Sequence, residues 1–316
     1  MTSRFEAAIL QLMHTPKVGA RTLDKVLALT AKDGIAIEDI VDAPIEELYR
    51  YGLKAVTAET LRTGREQADI IRNELDDYEI RLLVKRNPDF PTSLIRNDAS
   101  NCPPVLFARG RISIASQPGV AFCGSRRASA KGLDITRRCA EHLATAGFNI
   151  ISGFADGVDL TAHAAALNAG GVTTLILAEG ILRFKPKPEI ADFLDGSDIL
   201  ILSQFPPRMP WTAGNAMQRN AVILGLAEVV LIIESGTDGG TFAAGEAALA
   251  DNRPLFVVDY DDPPPSASGN RTLIARGARP LRMRSDGEPN LTELRKSLEH
   301  PPSITNKTGP ENRQLR

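Results

Sequence analysis

Residues 119–167 narrow the possible folds more than any other stretch of the chain. They read GVAFCGSRRASAKGLDITRRCAEHLATAGFNIISGFADGVDLTAHAAAL. The apolar run 120–123 ends on the turn Gly124-Ser125-Arg126-Arg127. From Leu133 onward Ile135, Cys139, Leu143 and Ala144 fall at helical spacing, and Gly147 closes that helix where a positive φ costs least. A second apolar run, 148–151, meets another small-residue turn, SGFADG, before the next helix. Strand, glycine turn, helix, strand is a βαβ unit, and such units build parallel sheets with helices on both faces. Ligands of these sheets gather at the carboxyl ends of the strands, where both glycine turns fall.

The pattern continues with apolar runs at 173–178, 198–203, 229–234 and 254–259. Helical segments, including 161–169, 217–226 and 243–251, separate most of them. The runs are nearly continuous rather than alternating, as in a parallel sheet buried on both faces. The expectation is a doubly wound α/β domain with its core in 110–284. Upstream, 80–84 and 105–108 read as strands extending one edge of the sheet, joined by a Pro-, Asn- and Asp-rich loop. Residues 1–75 read as all-helical, with two helical patterns joined at Pro16-Lys17-Val18-Gly19 and a second version over 39–64. Glycine hairpins of this kind either hold a nucleic-acid backbone through main-chain N–H groups or simply pack small helical bundles. The predicted organisation is a helical domain over 1–75, a sheet domain over 76–284 and a polar, disordered tail over 285–316 carrying one short helix at 291–298.

Bulk composition excludes some classes of function. A chain of 316 residues suggests two domains at roughly one per ~150 residues, and 43% hydrophobic content is enough for a full core. No run of 18 or more apolar residues offers a membrane span, and the first residues lack the pattern of a signal peptide. Three cysteines, Cys102, Cys123 and Cys139, without CxxC spacing fit reduced thiols in a cytoplasmic protein and no zinc site. The net charge of −2 gives no global field for nucleic acid, but seven basic residues lie between Arg109 and Arg138 against one acid, Asp134.

Four stretches carry candidate chemistry. Successive N–H groups at Gly124, Ser125 and Arg126 can form an anion nest; the alternative is a plain tight turn. The turn is not GxGxxG and no acid ends the next strand, which argues against a dinucleotide; no cofactor or metal is expected. The second turn opens with Ser152 and Gly153 and leads to Asp159 and His163, four apart on one helix face. No Ser or Cys stands at a motif position to complete a triad, so a capping Asp with a His bonded inside the fold is the better reading of that pair. Gly239, Gly240 and Thr241 open a helix after the strand ending at Glu234 and make a second cradle. Arg219 and Asn220 lie at another helix start, with Trp211 and Arg208 in the Pro-rich loop before it and Arg183, Lys185 and Lys187 after the 173–178 run. An aromatic beside Arg can stack a base, and a lone loop tryptophan can equally be a packing plug.

In that order, GSRRAS, SGFADGVDLTAHAAALNAGG, the MQRN helix start and GGTFAAGEAALADNR resemble the DNA-processing protein A family (DprA, also called Smf). DFPTSL and PPVLFARG fit upstream, so that the resemblance covers 85–280. It implies an extended Rossmann-like, mainly parallel sheet behind a helical domain. It also implies a non-enzymatic homodimer that binds single-stranded DNA and helps load the RecA recombinase in natural transformation or recombination. The family's phosphate contacts carry over to Gly124, Ser125 and Arg126, and to Lys185 and Arg219. Two departures stand out: Ala221 follows Arg219-Asn220 where the family often has a second Arg, and too few residues follow Arg284 for the winged-helix module many members carry. A rival class is a nucleotide enzyme or sensor like the lysine-decarboxylase-like phosphoribohydrolases, which place a Glu three residues beyond a Gly-Thr turn; here Glu246 lies five beyond Thr241.

Overall fold

A computed structural model describes residues 4–97 and 102–300. Its first elements are the helices α1 (Arg4–His14), α2 (Ala20–Asp33), α3 (Ile37–Val41), α4 (Ile45–Leu48) and α5 (Ala58–Asp77). Then come β1 (Arg81–Val84), α6 (Thr92–Asn97), β2 (Val105–Gly110), β3 (Gly119–Cys123), α7 (Ala130–Thr145), β4 (Asn149–Ser152), α8 (Val158–Asn168) and β5 (Thr173–Ile176). The remainder is α9 (Pro188–Ala191), β6 (Ile199–Ser203), α10 (Ala213–Leu226), β7 (Val229–Ile232), α11 (Gly239–Ala250), β8 (Leu255–Val258), α12 (Asn270–Ala275), β9 (Arg279–Leu281) and α13 (Thr292–Glu299). Two compact units emerge. One gathers Met1–Phe90, Pro103–Ala115 and Thr173–Arg219; the other gathers Pro91–Cys102, Ser116–Val172 and Asn220–Arg316. This partition differs from a cut after residue 75, because α1 to α5 group with β1, β2, β5 and β6.

In the first unit, α1 buries Ile9, Leu10 and Leu12 while α2 buries Leu23, Val26 and Leu27. Gly64 lets α5 approach α1 closely: a Cβ there would lie 2.4 Å from Thr15 Oγ1 and 2.6 Å from the Gln11 carbonyl oxygen. Thr15 Oγ1 in turn donates to Gln11 O at 2.7 Å, so the crossing is polar and satisfied. The strands follow the order β1-β2-β6-β5. β1 and β2 run antiparallel, β2 and β6 antiparallel, and β5 and β6 parallel. The edge extension read from 80–84 and 105–108 is present.

The second unit holds β4-β3-β7-β8-β9 in that order, every neighbouring pair parallel. Its strands are buried along their length: Val120, Ala121 and Phe122 of β3 and Val229 to Ile232 of β7 are all at 0% exposure. That is the state near-continuous apolar strands require. Together the ladders make the α/β, mainly parallel fold the sequence indicates.

Among the elements that went unread in the sequence are α6 and β9. α6 lies inside the supposed loop: Pro91 suits a helix start, and Leu94 is buried beside Gly225. β9 is three residues long, with Arg279 and Pro280 exposed, as an outermost strand tolerates. Where the sequence reads one short helix at 291–298 within the polar tail, α13 packs Leu294 and Leu298 into the same core as Phe122 and Leu143. The rest of that tail, 301–316, lies outside the described residues. No helix among the described residues is long and apolar enough to cross a membrane.

Candidate functional site

From β3 the chain crosses over to β4 on one side, while β7 lies on the other. Connections diverge there, and such a point leaves a crevice beyond the carboxyl ends of the strands. Three loops of the second unit meet around it. The turn after β3 holds the loop after β4 through the Val158 N–H, which donates to Ser125 O at 3.3 Å. Gly157 makes that approach possible: its φ is +78°, and a Cβ would sit 2.4 Å from Ser125 O and 2.7 Å from Arg126 O. The loop after β7 closes the other side, with Thr241 Oγ1 donating to Gly124 O at 3.3 Å. Asn220 Nδ2 donates to Gly240 O at 3.4 Å. The two glycine cradles therefore share one end of the sheet.

Glu234, wholly buried at the end of β7, organises this corner. It accepts from the Ser129 N–H at 2.9 Å, Ser129 Oγ at 2.5 Å, Ser266 Oγ at 2.6 Å and the Tyr260 hydroxyl at 3.2 Å. Burial, reinforced by the Glu234 carboxylate, pushes the Tyr260 hydroxyl far above its ordinary range, so it stays a donor. Ser129 also caps α7 by accepting from the Gly132 N–H at 3.0 Å. The consequence differs from the sequence expectation: the positive end of α7 is met by the protein's own carboxylate rather than left for a ligand. The start of α11 is different. Its N-cap, Asp238, makes no side-chain cap bond, and Gly239 has φ +84° with open space around a would-be Cβ. The loop leading into it is fixed from behind by Asn270, which accepts from Ser235 N at 2.9 Å and donates to Ile233 O at 2.8 Å.

The basic cluster divides in two. Arg137 pairs with Asp134 at 2.7 Å and Glu141 at 2.8 Å, and Arg138 with Asp134 at 2.8 Å and Glu288 at 2.7 Å. Those guanidinium bonds hold the Asp134 carboxyl below its usual range. Arg126, Arg127 and Lys131 lie exposed at the turn and the first residues of α7, with Lys131 Nζ 5.5 Å from the Tyr260 ring centre. Arg127 N–H donates to Ser125 Oγ at 3.0 Å, which shapes the turn.

Other expected site residues have internal roles. Ser152 is buried and its Oγ donates to Phe122 O at 2.7 Å. Gly153 is buried too, and its carbonyl bonds His163 Nε2 at 2.7 Å. Asp159 accepts from the Ala155 N–H at 3.2 Å in the first turn of α8, whose N-cap is Gly157 rather than the aspartate. Asp and His thus brace loop 153–157.

In the first unit Arg219 is only 7% exposed and Nη1 donates to Ile176 O at 2.8 Å, so it braces β5 rather than offering a rim fork. Burial pushes the nearby Glu179 carboxyl up, with Arg219 and Lys187 opposing. Lys185 is exposed between β5 and α9. Glu246, the carboxylate of the rival enzyme reading, is exposed on α11 and ion-paired with Arg276. Glu234, Ser129 and Asn270 were not singled out from sequence; the one available signal was Ser129 three residues before Gly132, at capping distance.

Residues 81–288 match the family model described as DNA recombination-mediator protein A. The protein Smf of Synechocystis sp. is 32% identical over 221 residues, covering 66% of this chain and 55% of that protein. The Smf protein of Escherichia coli is 32% identical over 192 residues, 60% and 50% of the two chains. The chain thus spans about half the length of these two relatives. Among solved structures, DNA processing protein A from Streptococcus pneumoniae shares the fold with a TM-score of 0.69 at 23% identity, over 88% of this chain and 94% of that one. The Helicobacter pylori protein of the same name gives 0.56 at 22% identity, over 70% and 95%.

Proposed function

The chain belongs to the DNA recombination-mediator protein A family, and on that premise we propose that it is a non-enzymatic single-stranded DNA-binding protein. The observation that carries the reading is the Thr241–Gly124 bond, which joins the two glycine cradles at one sheet end, beside the exposed Arg126 and Arg127. Main-chain N–H groups at 124–126 and 239–241, the uncapped start of α11 and the cations of the turn would grip phosphates without regard to sequence. Lys185 of the first unit is proposed as a further phosphate contact. The similarly folded H. pylori protein is described as having a single-stranded DNA binding mode, which supports the choice of ligand. The non-enzymatic reading rests on Asp159 and His163 being engaged in holding a loop, and on Glu246 being engaged with Arg276. Handing DNA to the RecA recombinase, assembly as a homodimer and residence in the cytoplasm are proposed from family membership.

Anisotropy of labelled oligo-dT across a salt series tests the reading. The association constant should fall with salt with a log–log slope of about −2 or steeper, at ~0.7 per phosphate contact. Mixed-sequence oligomers should bind with similar strength. Absent or salt-insensitive binding, or release of free base from a nucleoside monophosphate, would overturn it, the last in favour of the nucleotide-enzyme alternative.

A further inference from the structure

Trp211 is the only tryptophan in the chain, and it stands 48% exposed. An indole that merely plugs a gap would be buried. The loop that carries it is nonetheless firmly built within the first unit. Gly180 N–H donates to Met209 O at 2.8 Å and Leu182 N–H to Pro207 O at 3.0 Å, zipping the segment after β5 to the loop after β6. A Cβ on Gly180 would sit 2.2 Å from Pro206 O, so the two backbones are in contact. Arg183 Nε donates to Arg208 O at 2.8 Å, and Arg208 is ion-paired with Glu74 of α5. On the far side Asn215 Nδ2 donates to Pro210 O at 3.2 Å and its N–H to Thr212 Oγ1 at 3.0 Å, fixing the start of α10. The loop pins the backbone on both sides of the half-exposed indole. Met217, also 48% exposed, lies in the second turn of the same helix, after the exposed small residues Ala213 and Gly214.

We propose that Trp211 is a base-stacking platform for single-stranded DNA, with Met217 as its apolar flank and Arg183 and Lys185 as the cations serving the adjacent phosphates. This rests on the DNA-binding reading above and adds a base contact to it. A flat, rigidly mounted aromatic face close to exposed cations suits an unpaired base: every base has a π-face, so stacking adds affinity without adding sequence preference. The zipped backbone brings the Arg183 segment to the tryptophan loop, which makes the cations part of the same patch.

Because the indole is unique, its emission reports on this site without any substitution. Titration of the protein with unlabelled oligo-dT should quench Trp211 fluorescence, while an abasic oligomer of equal length should bind more weakly and leave the emission unchanged. Trp211→Ala should weaken oligo-dT binding about fivefold or more at fixed salt, with the salt slope preserved because no phosphate contact is lost. Trp211→Phe should keep most of the affinity. Should oligo-dT bind Trp211→Ala as tightly as the parent, with silent indole emission in the parent, the stacking proposal fails and the DNA-binding reading stands. If anisotropy of labelled oligo-dT shows no binding to the parent at all, both fall together.

Discussion

Alanine substitution of Arg126, Arg127 and Lys131 together should weaken oligo-dT binding about a hundredfold at 0.1 M salt and flatten the log–log salt slope by about 2, at ~0.7 per phosphate contact. The three side chains are exposed on the turn after β3 and the start of α7. Their loss should leave stability nearly unchanged, within about 0.5 kcal/mol for surface positions. The neighbouring pair Arg137 and Arg138 is the internal control. It carries almost the same charge in sequence, yet its guanidinium groups already face Asp134, Glu141 and Glu288. Substituting that pair should move affinity by less than threefold, roughly the scale of screened, compensated charge. Equal losses from the two sets would mean that only net charge matters and that the turn has no special place.

Glu234→Leu should lower the free energy of unfolding by about 3–5 kcal/mol, because it removes the acceptor of four donors at once, the buried Tyr260 hydroxyl among them. The Ser129 N–H and hydroxyl, the Ser266 hydroxyl and the Tyr260 hydroxyl all converge on that carboxylate. The space is equally committed, since a Cβ on Gly132 would lie 2.3 Å from Glu234 Oε1. Glu234→Gln keeps one acceptor oxygen and should lose less than Leu does. Urea denaturation with an unchanged m-value is the measurement. A Leu variant within about 1 kcal/mol of the parent would show that the serines and tyrosine find other partners.

What could be read in advance follows from what each signal reports. The central strands were legible because burial on both faces demands unbroken apolar runs, as at Val229 to Ile232. The glycine turns were legible because backbones approach each other there, as Gly157 does to the Ser125 carbonyl. Residue type alone could not give the direction of a side chain. Ser152 and Arg219 look like ligands in sequence, yet each directs a polar atom to a strand carbonyl. Glu234 showed the converse, an acid at a strand end whose partners are 26, 32 and 105 positions away. β9 was too short and too polar to register, and the helix read at 291–298 gave no sign in its polar composition that Leu294 and Leu298 join the core.

The most direct test of the central claim is amide hydrogen exchange with and without saturating oligo-dT at low salt. If phosphates are held by main-chain N–H groups of the two cradles, amides at 124–127 and 239–241 should slow on binding and recover as salt releases the oligomer. Saturation by oligo-dT with exchange at those positions unchanged, and protection confined to other surfaces, would contradict the account.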